Sequence, residues 1–134
     1  PDDIVRPYRM DYGSRCAPDG SRMWAALRQT VTDALLADAA ASGCSDVLSL
    51  LPGDAARCID TRALAGRVRI HSVAFGALQP GGSVRTPDAG RLKRLRGQLL
   101  RLIVSRGIDT VDAVRTLASS FAAQDVTMAV VDPK

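Results

Sequence analysis

The stretch Arg67-Val68-Arg69-Ile70-His71 alternates charged and apolar side chains, the period-two mark of a half-buried strand. Two further stretches carry strand character on either side of it. Asp46 to Leu51 reads as a short buried strand that Pro52-Gly53-Asp54 ends, and Val126 to Val131 is β-branched and apolar on both faces. Helical periodicity fills the intervals. Asp19-Gly20-Ser21 offers an N-cap for a long helix through about Ser42, with Trp24, Leu27, Val31 and Leu35 on one stripe and Gly43 as the stop. A short helix is expected around Asp54 to Leu64, and a second long one from about Asp88 to Arg106, ended by Gly107. Asp109-Thr110 caps a third, with Val111, Val114, Leu117 and Phe121 on one face, and 118–125 is expected to run on as helix. Gln79-Pro80-Gly81-Gly82-Ser83 is a loop. Strands and helices alternate, so the expected class is α/β, with α+β as the alternative: one domain, a mixed sheet and three main flanking helices.

At 134 residues, 46% hydrophobic and 24% charged, the composition is that of a globular domain with a real core. No apolar run approaches the roughly 20 residues that span a bilayer, and no signal peptide opens the chain, so a cytoplasmic protein without membrane contact is expected. The formal net charge is +4, and only Lys93 and Lys134 are lysine, which leaves sixteen of the 18 basic residues as arginine. Guanidinium groups grip phosphate, sulfate and carboxylate in a planar, bidentate manner that ammonium groups do not match. Cys16, Cys44, Cys58 and His71 stand far apart, with no C-x-x-C or H-x-x-x-H spacing. Neither a metal site nor any cofactor is expected from them. Cys58 reads as a small core residue and His71 as a rim or solvated side chain on the charged side of its strand, with a catalytic role as the other reading.

The strongest local signal is Arg91-Leu92-Lys93-Arg94-Leu95-Arg96-Gly97-Gln98-Leu99-Leu100-Arg101. On a helix, Leu92, Leu95, Leu99, Leu102 and Ile103 form the core stripe, and Arg94 and Arg101 lie opposite as a solvated basic face. Arg96 falls at the margin of the apolar face beside Gly97, which costs a helix about 1 kcal/mol against Ala. Two readings stay open for it. One is an Arg–Asp pair next to a helix-packing glycine; the other is an anion pocket lined by Arg96 and Lys93, with Arg94 as a further anion-binding candidate. Pro7-Tyr8-Arg9 is a rigid turn that presents Tyr8 and Arg9, with Arg15 close by in sequence, as a second candidate for anion contact. Aromatic residues make up only 4% of the chain and none interleaves the basic run, so base stacking lacks its usual platform.

Pro7-Tyr8-Arg9-Met10-Asp11-Tyr12-Gly13 resembles a Pro-Tyr-Arg segment of the YaaA family, the peroxide-stress proteins. Trp24 on its helix, the strand Asp46-Val47-Leu48-Ser49-Leu50-Leu51, and Lys93-Arg94-Leu95-Arg96-Gly97-Gln98-Leu99-Leu100-Arg101 resemble later segments of the same family in order and spacing. The Asn-Leu-Ala-Ser strand end of that family is replaced here by Leu50-Leu51-Pro52-Gly53-Asp54, and its Gly-Tyr segment near the C-terminus is absent. The resemblance implies a C-terminal half-domain over 1–134, a basic cleft and a DNA-linked oxidative-stress role.

Because the chain opens on Pro1 in what reads as the middle of a domain, a second protein chain is expected to supply the N-terminal half. Two functions follow. In the first, the chain is a subunit of a heteromeric biosynthetic enzyme that looks like the aziridine-forming enzymes of azinomycin-type antibiotic pathways. Arg96 and its neighbours would hold a sulfate leaving group, and His71 or a carboxylate would keep the attacking amine neutral for in-line displacement within an anionic small-molecule substrate. The alternative is a YaaA-like DNA-binding protein of the peroxide-stress response, whose affinity falls steeply with salt.

Overall fold

The computed structural model describes residues 13–15, 17–122 and 124–133. In chain order the elements are α1 (Met23–Ser42), β1 (Asp46–Ser49), α2 (Gly53–Ala56), α3 (Thr61–Leu64), β2 (Arg69–Leu78), β3 (Val84–Arg85), α4 (Ala89–Ser105), α5 (Val111–Thr116), α6 (Ala118–Ala122) and β4 (Val126–Val131). The sheet is mixed. β1 runs parallel to β2 in the register Asp46↔Arg69 to Ser49↔Ser72, whereas β3 and β4 are antiparallel to it. The class is α+β.

β2 is ten residues long, reaching well beyond the expected strand at 67–71. Its second half, Val73-Ala74-Phe75-Gly76-Ala77-Leu78, carries no charge and so loses the alternation that marks the first half, because β4 and β3 pair with it there. His71, Val73, Phe75 and Ala77 point to the face on which the helices lie. Phe75 and Met128 from the sheet, Leu95 and Leu99 from α4, Val114 from α5, and Leu117 and Phe121 form one core cluster with Val126. Phe75 and Phe121 meet edge-to-face with centroids 5.4 Å apart, a geometry that adds to plain area burial. Each fully buried side chain of this size contributes roughly 1.5–3 kcal/mol.

The helices depart from the sequence expectation wherever a polar side chain redirects the backbone. Asp19 is not the cap of α1, because its carboxylate already accepts from Ser21 N within the turn; Arg22 stands at the N-cap instead, without a side-chain bond. The C-terminal end is as expected, with Gly43 at φ 66, the left-handed conformation a side chain resists. The stripe Trp24, Leu27, Val31 and Leu35 is only half-buried, while Thr32 and Ala39 are the buried positions of α1. Thr32 Oγ1 explains the offset, since it accepts from Asp60 N at 2.9 Å and turns its own side of the helix toward α3. The helix expected over 54–64 is two single turns, because Asp60 accepts from Arg62 N and Ala63 N and restarts the backbone. Cys58, between them, is buried as expected. α5 begins at its Thr110 cap, as the sequence implied, but yields to α6 at Leu117, and α6 ends at Ala122 rather than running to 125. Asp125 then takes a positive φ of 54° and turns the chain into β4.

Gly76 sits where β2, β3 and β4 crowd together. A Cβ built there would stand 2.3 Å from Val84 Cγ1 and 2.5 Å from Thr127 Oγ1. We therefore expect Gly76→Ala to lower the stability to urea by about 1–3 kcal/mol through overpacking. Adding Val84→Ala removes the first clash and is expected to recover part of that loss; a Gly76→Ala variant as stable as the parent would contradict the packing described.

Candidate functional site

Helix α4 divides into three sectors. Asp88 opens it, accepting from Arg91 N at 2.9 Å, and this contact holds the Asp88 carboxyl below the ordinary carboxylate range. Leu95 and Leu99 are buried, with Leu92, Leu102 and Ile103 half-buried beside them, as the sequence predicted. Arg91, Arg94, Gln98 and Arg101 recur at three- and four-residue steps along a second sector that borders α6. The third sector carries Lys93, Gly97, Leu100 and Val104, all exposed, with half-buried Arg96 at its edge.

Between α4 and α6 lies a groove formed by two adjoining hollows of about 310 and 290 Å³ that share Gln98 and Gln124. Arg91, Arg94, Arg101, Ser105 and Ser120 complete its polar lining, and among the described residues no carboxylate lines either hollow. Arg91 Nη2 donates to Gln124 O at 3.1 Å, which ties the groove's two walls together. The arrangement presents three guanidinium groups, two carboxamides and two hydroxyls along one groove, a surface suited to a run of anionic oxygens.

A second cavity, of about 430 Å³, opens where the first residues of β1 and β2 meet the end of β4 and the start of α5. His71 is buried there at 6% exposure, not at a solvated rim. Pairing with β1 and packing under α5 turn its side of the strand inward at this end of the sheet. His71 Nε2 lies 2.7 Å from Asp46 Oδ1, and Nδ1 lies 2.9 Å from Asp132 Oδ1. Arg69 holds Asp46 by a two-pronged contact, Nε to Oδ1 at 2.8 Å and Nη2 to Oδ2 at 2.6 Å. Arg115 pairs with both Asp132 and Asp112. The Arg69 contact first, then those of His71 and Ser45, hold the Asp46 carboxyl far below its ordinary value.

Residues 1–123 match the family model described as Peroxide stress protein YaaA. The chain belongs to this family. No curated protein and no solved structure matched the chain. Membership agrees with the resemblance carried by Trp24, the β1 strand and the basic run of α4; nothing in the comparisons points to the aziridine-forming enzymes.

Of the described side chains expected to bind an anion, only Arg94 lies in the groove. Lys93 and Arg96 face away from it. Among the described residues Arg96 has no hydrogen bond or ion pair, so the Arg–Asp pair of one of its two readings is not found there. A Cβ at Gly97 would meet nothing within 4 Å, so the close approach expected there has no partner among the described residues either. Arg15 is exposed, and Tyr8 and Arg9 lie outside the described residues. His71 does line a cavity, but both of its ring nitrogens are already engaged. Sequence reasoning missed Arg91, Gln98 and Gln124 in the groove, and Asp46, Asp132 and Arg115 around His71. Arg91 was legible as the next member of the Arg94–Arg101 spacing; the carboxylates come from remote strands and left no local signal. Among the described residues no group of three or more His, Cys, Asp or Glu could hold a metal ion, and no helix is long and apolar enough to cross a membrane.

The Asp46 contacts make acid stability a direct readout of this network. The folded carboxyl titrates below its ordinary value of 3.8, so its stabilisation is complete above the unfolded value and is lost as the pH falls toward the folded one. Urea midpoints measured from about pH 2 to 7 should therefore show a steep acid limb in the parent. Asp46→Asn should be less stable at neutral pH and show a shallower limb; superimposable limbs would remove Asp46 from the network.

Proposed function

We propose that this chain binds duplex DNA through its phosphate backbone, along the α4–α6 groove, as part of the peroxide-stress response for which its family is named. The observation that carries this reading is the groove's lining of Arg91, Arg94 and Arg101 with Gln98, Gln124, Ser105 and Ser120 and, among the described residues, no carboxylate. Ten residues separate Arg91 from Arg101, about 15 Å of helix. Duplex DNA carries one charge per roughly 1.7 Å of its axis, so the line meets several phosphates at once. Base stacking plays no part, because Phe121, the aromatic residue at the groove, is buried in the core. The binding is accordingly insensitive to sequence and rests on counterion release. The overall charge of +4 favours the encounter.

Fluorescence anisotropy with a short labelled duplex across a salt series tests the proposal. The parent chain should lose affinity linearly in log K against log salt. Arg94→Ala combined with Arg101→Ala removes two phosphate contacts and should reduce that slope by about 2, whereas Arg96→Ala, outside the groove, should leave it unchanged. No binding by the parent, or an unchanged slope in the double variant, would refute the groove as a DNA site.

A further inference from the structure

His71 is the single histidine of the chain. Its buried ring stands between two carboxylates from distant parts of the sequence: Asp46, which begins β1, and Asp132, which follows β4. A neutral imidazole carries one N–H and can donate to only one of them; the doubly protonated ring donates to both. Asp46 does not relieve the mismatch by taking a proton, because Arg69 holds it ionised. The charged groups that face the ring form one chain across the cavity: Arg69, Asp46, His71, Asp132, Arg115 and Asp112. With two protons on the ring, signs alternate along the whole chain and three cations meet three carboxylates. With one proton, a carboxylate is in excess, and Asp109 on the cavity wall adds to it.

We propose that His71 is a proton-operated clasp. When the ring carries both protons it ties the start of β1 to the end of β4 and, through Arg115, to α5. As the pH rises and one proton leaves, one of the two carboxylates loses its donor and the end of the sheet loosens beside the cavity. The clasp lies in a different cavity from the α4–α6 groove, so it stands or falls independently of DNA binding.

Because there is one histidine, its ring is read without assignment ambiguity by long-range ¹⁵N–¹H NMR on the intact chain between about pH 5 and 8. At the low end both ring nitrogens should be protonated and their hydrogens slow to exchange. At the high end one N–H should be lost, with concerted shifts of the Asp46, Arg115 and Asp132 backbone amides. In Asp132→Asn the amide shifts should move to lower pH, since the Nδ1 side no longer faces a charge. A ring that stays a single neutral tautomer down to the low end in the folded protein overturns the proposal. So does a ring that titrates while those amides stay still, or an unchanged midpoint in Asp132→Asn.

Discussion

Every other strand of the described sheet bonds to β2, and none of them bonds to another. β1 takes its first four residues in parallel, β4 takes the opposite edge from Ser72 to Ala77, and β3 closes on its last two. One strand thus sets the register of all the rest. A slip of one residue would turn Phe75 and Ala77 off the core face and expose the other set. Gly76 marks how tight this arrangement is, since three strands converge on the space where its side chain would be.

From that register the two chemically distinct regions follow. Residues at the start of β2 share a face with the core, so Arg69 and His71 project at the same end as Asp46 of β1, where the last residues of β4 also arrive. Charged groups gathered at a half-buried sheet end must be paired, and here they are paired in alternating order. The helices deal with charge in the opposite way. α4 spends one sector on the core cluster and leaves its arginines on the neighbouring sector, where α6 contributes only neutral donors and acceptors. One region pairs its charges internally, and the other leaves its guanidinium groups without a carboxylate among the described residues that line the groove.

Much of the frame was legible in the sequence. The start of α4 near Asp88, the cap at Thr110, the stop at Gly43, the leucine stripe of α4 and the strand at Val126–Val131 are local signals, set by hydrogen bonds and periodicities within a few residues. The misplaced boundaries share one cause. Asp19, Asp60 and Asp125 each act on the backbone in a way that a hydrophobic pattern does not report, by bonding a nearby N–H or by taking a left-handed conformation. Arg94 could be placed on the exposed basic face of α4 because helical spacing carried it there. Arg96 could not, because nothing local distinguishes an unpaired guanidinium from one that finds a partner.

The sequence by itself determined the element types, a mixed sheet flanked by helices, the basic face of α4 and a resemblance to the peroxide-stress family, while the choice of α+β over α/β waited for the strand directions. Each is a property of short-range periodicity, or of residues a few positions apart. Tertiary structure alone decided that His71 is buried between Asp46 and Asp132, and that Gln98 and Gln124 face each other across the arginine groove. These meetings join residues 25 to 61 positions apart, and only the pairing of β1 and β4 with β2 and the packing of α4 beside α6 bring them within reach.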